Sequence, residues 1–232
     1  MSILFFWRHK RPVTLIVLLI LAVVLFFGIY IFKFAKHYPA VVDLKPAPDF
    51  FGITFSTKFT KQLELDWQET YLALLDDLNV KQVRIPVYWD EIEATESVYD
   101  FSVYDYLLNE GAKRDVNFIL AIGRRVPRWP ECHSPAWLNL KNELGVKVAT
   151  LKMLKTVVER YRHYDNIEYW QVENEPFLGS FGVCPPFDHG FFKQEIDLVR
   201  SLDERPIIIT VSGEMSWWRE EAKIGDILGT TF

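Results

Sequence analysis

Tyr169-Trp170-Gln171-Val172-Glu173-Asn174-Glu175-Pro176 is the stretch that decides the fold of this chain. Aromatic and β-branched residues open it, as in a strand. Proline closes it, because a residue without an N–H cannot extend a ladder. The spacing predicts a strand over 167–174 with the carboxylate of Glu175 at its tip. A carboxylate at the C-terminal tip of a strand stands where a βα-repeat barrel carries its chemistry.

Outward from this strand, short apolar runs alternate with amphipathic helices. Strands are predicted over 51–55, 82–89, 117–123, 206–211 and 226–232 in addition to 167–174. Helices are predicted over 65–78, with Trp67, Tyr71, Leu74, Leu75 and Leu78 on one face, and over 103–113 and 148–161. Another follows Gly190, with Phe192, Ile196, Val199 and Leu202 in register, and a short one covers 216–223. The run 117–123 is apolar on both faces, as a buried parallel strand is. Such alternation implies an α/β protein with a parallel sheet. No G-x-G-x-x-G follows the first strand, which removes the fingerprint of a dinucleotide fold. Long loops at strand ends, rich in Trp and Arg, favour a (β/α)8 TIM barrel. Such a barrel needs eight strands and usually about 250 residues. Six are counted, so the barrel is expected to be truncated after the sixth strand.

Residues 13–32 carry no charge and are apolar throughout. About 20 such residues cross a hydrocarbon core of about 30 Å. A cleaved signal peptide has a shorter apolar region and a small-residue cleavage site, and neither is found here. The expectation is a basic cytoplasmic tail over 1–12, a transmembrane signal anchor over 13–35 and a proline-stiffened linker over 36–49. A partial barrel then covers 50–232. Arg8, Lys10 and Arg11 favour a cytoplasmic N-terminus. That places the protein in the cell membrane as a single-pass chain with its domain outside the cytoplasm.

The chain has a net charge of −5, and residues 1–42 hold five bases and no acid, so the domain itself is more acidic still. An acidic domain repels phosphate, which argues against a nucleic-acid partner. Aromatics make up 16%, with eight Trp, enough for a large core or for a cleft that covers sugar faces. No His/Cys spacing suggests zinc and no phosphate loop is present, so no metal or cofactor is expected. Cys132 and Cys184 fall in the loops after strands three and four. A disulfide is permitted there in an oxidising compartment; two free thiols are the alternative.

Four stretches in order resemble the clan A retaining glycoside hydrolases, TIM-barrel glycosidases of cellulase and β-galactosidase type. They are Val83-Arg84-Ile85-Pro86; Trp89-Asp90-Glu91-Ile92-Glu93 leading to Tyr99-Asp100-Phe101-Ser102; Ile122-Gly123 with Pro127-Arg128-Trp129-Pro130; and Gln171 to Pro176. The resemblance implies that Glu175 is the general acid and then the general base. It implies that Asn174 binds the sugar 2-hydroxyl, and that Arg84 steadies the nucleophilic carboxylate by charge-assisted hydrogen bonds. A structural ion pair of Arg84 with Glu173 or Asp90 is the alternative. Glu173 shares the strand parity of Glu175 and is expected to be an inward layer residue or an ion-pair partner. Each tryptophan alone suits a core. As a set at one end of the strands, Trp89, Trp129 and Trp218, with His133, are expected to line the sugar site; Trp137 and Trp217 are neighbours of this set. Arg124 and Arg125 share the loop of His133 and suggest further contacts.

The resemblance also places the nucleophile on a seventh strand, beyond residue 232. The leading expectation is thus a membrane-anchored retaining glycosidase of extracellular oligo- or polysaccharides. A non-catalytic carbohydrate-binding barrel is the alternative. An aldolase or sugar-phosphate isomerase would need a lysine or phosphate loop at the strand ends, and neither is seen.

Overall fold

The computed structural model describes residues 10–35, 51–216 and 218–231. The basic tail before Lys10, the linker over 36–49, Trp217 and Phe232 lie outside the described residues. The chain divides into two units, 1–46 and 47–232.

The first unit holds one helix, α1 (Lys10–Ala35). Its 26 residues span about 39 Å at about 1.5 Å each. Val13–Tyr30 has a mean hydropathy of 3.0, and every one of these side chains is exposed. A helix apolar all round has no polar face to turn to water. By length and composition it meets the requirement for a membrane span, a test that a signal sequence also passes.

The second unit is a βα repeat. β1 (Ile53–Thr54) is followed by α2 (Thr57–Gln62) and α3 (Trp67–Asp76). β2 (Gln82–Pro86) is followed by α4 (Trp89–Ile92) and α5 (Ser102–Ala112). β3 (Asn117–Ile122) leads through a 3-10 turn at Ala136–Leu140 to α6 (Glu143–Tyr161). β4 (Ile167–Val172) leads to α7 (His189–Leu202), β5 (Ile207–Ser212) to a 3-10 turn at Glu221–Lys223, and β6 (Ile227–Thr231) comes last. The strands pair in sequence order, β1-β2-β3-β4-β5-β6, all parallel. They curl into part of a (β/α)8 barrel.

Strand alternation sorts the side chains into two layers. Val83, Ile85, Phe118, Leu120, Ile122, Trp170, Val172, Ile207 and Ile209 belong to the main core. They meet Tyr104, Leu107, Leu108, Met153, Leu154, Val158, Phe192 and Val199 of the helices. The other face carries Arg84, Ile119, Ala121, Gln171 and Thr210 in successive rows of the parallel register, Arg84 beside Ile119 and Ala121 beside Gln171. Two polar side chains and a guanidinium there make the concave face the chemically equipped one.

Local chemistry explains where the elements begin. Asp66 caps α3, its Oδ1 accepting from the N–H groups of Gln68 and Glu69 at 2.8 and 2.9 Å. Asn142 caps α6 through Gly145, and Asp188 caps α7 through Phe191. Several expected boundaries move. β2 stops at Pro86 rather than at 89, because proline offers no N–H and Tyr88 already caps α4. α2 was not expected; Ser56 creates it by accepting from Phe59 N–H. α3 ends at Asp76, so Leu78 leaves the buried face and is 67% exposed. β4 ends at Val172, short of Glu173, expected within it, and of Glu175, expected at its tip.

Candidate active site

Past Val172 the backbone leaves the strand abruptly. Glu173 has φ 58° and Glu175 φ 44°, both left-handed conformations that L-residues resist. Fixed hydrogen bonds hold them there. Glu173 N–H donates to Ile122 O at 2.8 Å and Asn174 N–H to Arg125 O at 2.7 Å. Glu175 N–H donates to Thr210 Oγ1 at 3.0 Å. The three residues are therefore pinned between the ends of β3 and β5.

This turn removes the shared parity expected of Glu173 and Glu175. The Glu173 carboxylate is buried and accepts from Arg124 N–H at 2.7 Å and Arg125 N–H at 2.5 Å. It is also coupled to Glu195 of α7, a second buried carboxyl whose pKa the Glu173 charge and hydrogen bond raise further. Burial raises both proton affinities above the ordinary carboxylate range. Gly123 makes the arrangement possible: its φ is +124°, and a Cβ there would stand 2.4 Å from Glu173 Oε1. Glu173 thus ties β4 to α7. It forms no ion pair with Arg84.

The concave face holds a chain of polar contacts. Arg84 Nε donates to Thr54 Oγ1 at 2.9 Å, and its Nη1 to Gln171 Oε1 at 3.1 Å. Gln171 Nε2 donates to Asn174 Oδ1 at 3.1 Å. Asn174 Nδ2 donates to Glu131 Oε2 at 2.9 Å. Arg84 is therefore not paired with Asp90, whose carboxylate meets Lys58 at 2.5 Å. Burial lowers the Arg84 pKa, with Arg128 adding to the effect; the carboxylates of Glu175 and Glu131 oppose it. These couplings place Arg84, Glu131, Asn174 and Glu175 in one electrostatic neighbourhood. Glu175 itself is 9% exposed. It borders a cavity of about 200 Å³ shared with Leu178, Ser212, Ser216 and Glu221.

The expected sugar-facing residues divide. Trp129 is 62% exposed and meets Phe181 edge-on at 5.9 Å. Trp218 is 38% exposed and donates from Nε1 to Ser212 O at 3.2 Å. Trp89 is a correction: it is fully buried, with Nε1 donating to Glu93 Oε2 at 2.7 Å and its ring against Trp137. A ring with no accessible face cannot cover a sugar. The cause is α4, which begins at Trp89 and turns it into the helical layer. His133 is also buried. Its Nδ1 lies 3.2 Å from Lys58 Nζ, its Nε2 3.0 Å from Arg128 O, and its ring 4.5 Å from that of Tyr88. Both nitrogens are occupied, so His133 joins the loops rather than facing substrate. Burial, then the Lys58 ammonium, lowers its pKa. Arg125 is buried as well and donates to Phe181 O at 2.8 Å.

Glu131 is the residue that sequence reasoning missed. It is 4% exposed, lies 4.0 Å from Arg125 Nε and accepts from Asn174. Burial raises its pKa; the bond from Asn174 and the charge of Arg125 oppose that. The signal was its place between Pro130 and Cys132. Cys132 and Cys184 form a disulfide with Cα atoms 5.3 Å apart, which draws the loop after β3 to the loop after β4. Beside it, a cavity of about 460 Å³ opens among Arg124, Lys147, Glu173, Phe187, Phe191 and Glu195. Among the described residues no group of three or more His, Cys, Asp or Glu could hold a metal.

No family model matches the sequence, and no curated protein matches it. Solved structures do. A β-galactosidase from the Antarctic haloarchaeon Halorubrum lacusprofundi superposes with a TM-score of 0.58 at 13% identity, over 78% of this chain and 39% of that one. An endo-β-1,4-xylanase of glycoside hydrolase family 10 from Gloeophyllum trabeum gives 0.58 at 15%, over 80% and 62%. A GH5_18 enzyme from Streptomyces cattleya, in complex with Manβ1-4GlcNAc, gives 0.57 at 14%, over 77% and 50%. The fold is a glycosidase-like partial barrel. At these identities the likeness concerns the fold. This glycosidase-like barrel spans 39–62% of the length of those three chains.

Proposed function

We propose that this chain carries the proton-donor half of a membrane-anchored retaining glycosidase, acting on O-glycosidic bonds of extracellular oligo- or polysaccharides. The observation that carries the reading is Glu175. It stands immediately beyond β4, next to Asn174 and in electrostatic reach of Arg84, in a barrel of glycosidase fold.

In this mechanism protonated Glu175 gives its proton to the leaving glycosidic oxygen. A second carboxylate attacks the anomeric carbon and forms a glycosyl-enzyme. Glu175, now ionised, takes a proton from the water that displaces the enzyme. The second carboxyl must lie about 5–5.5 Å from the first. It is assigned to the part of a complete barrel that residues 1–232 do not include, in keeping with the partial coverage of the matched structures. Arg84 spends Nε and Nη1 on Thr54 and Gln171, which leaves Nη2 to steady that carboxylate. Asn174 meets the sugar 2-hydroxyl, and Trp129 and Trp218 offer exposed rings to sugar faces.

The Cys132–Cys184 disulfide fits an oxidising compartment, and α1 suits an anchor with the barrel outside the cytoplasm. In protein that carries the whole barrel, Glu175→Gln should lower kcat on unactivated glycosides by about 10²–10⁴, with binding kept. Near-normal hydrolysis by that variant would refute the assignment. The second reading is a carbohydrate-binding barrel without turnover, favoured by the exposed Trp129–Phe181 pair. It predicts glycan binding with no hydrolysis in either form.

A further inference from the structure

The concave face contains two primary amides in series, and amides are ambiguous: each end can be rotated to donate or to accept. Here the ambiguity is removed from both sides. Arg84 is a donor only, so the end of Gln171 that meets Nη1 at 3.1 Å must be its oxygen. Gln171 Nε2 then faces Asn174 at 3.1 Å, so that atom of Asn174 is its oxygen. Asn174 Nδ2 consequently points to Glu131 Oε2 at 2.9 Å. An ionised carboxylate is an acceptor only. The series runs from an obligate donor to a carboxylate that only accepts when ionised, and one orientation of both amides fits both ends, the two Gln171 Nε2 hydrogens being shared among Asn174 Oδ1, Thr210 Oγ1 and Glu173 O at 3.1, 3.2 and 3.1 Å. Reversing Asn174 would set Oδ1 against the Glu131 carboxylate. Thr210 reinforces the same direction, since its Oγ1 accepts from Gln171 Nε2 at 3.2 Å and from Glu175 N–H at 3.0 Å. Its own proton is then directed to Asn174 Oδ1, 3.4 Å away.

We propose that Glu131 is a positioning residue of the sugar site: it terminates an oriented relay from Arg84 through Gln171 and fixes the Asn174 amide so that its second Nδ2–H faces a substrate hydroxyl. What that N–H meets rests on the glycosidase reading; the relay itself does not. The loop is built to hold the carboxylate in place. Glu131 N–H donates to Arg128 O at 2.7 Å and Val126 N–H to Glu131 O at 2.9 Å. Cys132 next to it is anchored to Cys184. Gly182 lies against it so closely that a Cβ would stand 2.8 Å from Glu131 Cβ.

The test is the side-chain amide signal of Asn174, followed by NMR against pH in the full chain in detergent micelles. The protein is labelled with ¹⁵N-asparagine, and the signal is assigned by its loss in Asn174→Asp. The signal should titrate in wild type and in Glu175→Gln, and be flat in Glu131→Gln. Should Glu131→Gln not fold, Glu131→Asp keeps the charge but withdraws it. The Asn174 amide protons should then exchange with water about tenfold faster, the loss of one charge-assisted hydrogen bond. Titration that persists in Glu131→Gln, absence of titration in wild type, or unchanged exchange in Glu131→Asp overturns the proposal. In a parallel arm, Glu131→Gln should weaken binding of methyl β-D-galactoside or methyl β-D-glucoside and spare their 2-deoxy analogues. An intact relay signature in a chain that binds neither glycoside upholds the relay and counts against the sugar-site reading alone.

Discussion

At the scale of single residues, the buried Glu173–Glu195 pair gives the protein a pH response of known sign. Burial foremost raises the pKa of both carboxyls above the range of an ordinary one. Arg124 opposes this from the loop after β3, and Asp188 adds to it at the start of α7. Unfolded glutamate releases its proton near about pH 4.3. The pair's stabilisation is therefore complete below that pH and is lost as pH rises through the folded pKa. One proton corresponds to a fall of up to about 1.4 kcal/mol per pH unit. Glu195→Gln supplies a permanent N–H donor to Glu173, so it should flatten urea-unfolding stability between about pH 5 and 7 relative to wild type. Parallel curves for the two proteins would refute the raised pKa of the pair. His133 acts in the opposite sense, because its lowered pKa favours folding as pH rises. It is common to both proteins and cancels in the comparison.

Between elements, the ends of β3 and β4 act as one unit. Glu173 N–H and Asn174 N–H bond across to Ile122 O and Arg125 O, the Glu173 carboxylate closes the turn after Gly123, and the disulfide joins the two loops farther out. The disulfide spans a separation of 52 residues. Reducing it, or replacing both cysteines by serine, should cost about 2–4 kcal/mol, seen as a lower urea midpoint. Because Glu131 adjoins Cys132, the same change should weaken the Asn174 contact before the strands themselves are affected. Close to this link, Phe177 and Phe187 pack on Phe192 of α7 as an aromatic cluster.

On the scale of the whole molecule, a helix with no polar face precedes a barrel segment whose helices bury their apolar faces and expose their polar ones. The exposed, charge-free 18-residue span Val13–Tyr30 predicts that the chain stays in the membrane fraction through alkaline carbonate extraction, and that a version starting at residue 47 does not. Release of the intact chain by carbonate would refute the anchor. Much of this architecture was legible in the sequence. Periodicity placed all six strands, because β-branched runs bounded by turn residues have few other uses; the capping residues Asp66 and Asp188 became visible only in the structure. The order of the strands follows from the repeated βα alternation, in which consecutive parallel strands lie side by side, and the apolar helix from composition. What the sequence determined by itself was thus the set of elements, their parallel sense and the carboxylate at the end of β4. Tertiary structure alone decided which side chains face the concave surface. Local turns overrode strand parity: positive φ at Glu173 and Glu175 sent one carboxylate to α7 and left the other by Arg84, while α4 carried Trp89 into the core. Glu131, 43 residues from Asn174 in sequence, meets it only because the β3 and β4 loops fold against each other. Contacts of that kind are set by where backbone hydrogen bonds across strand ends are satisfied, and no local pattern encodes them.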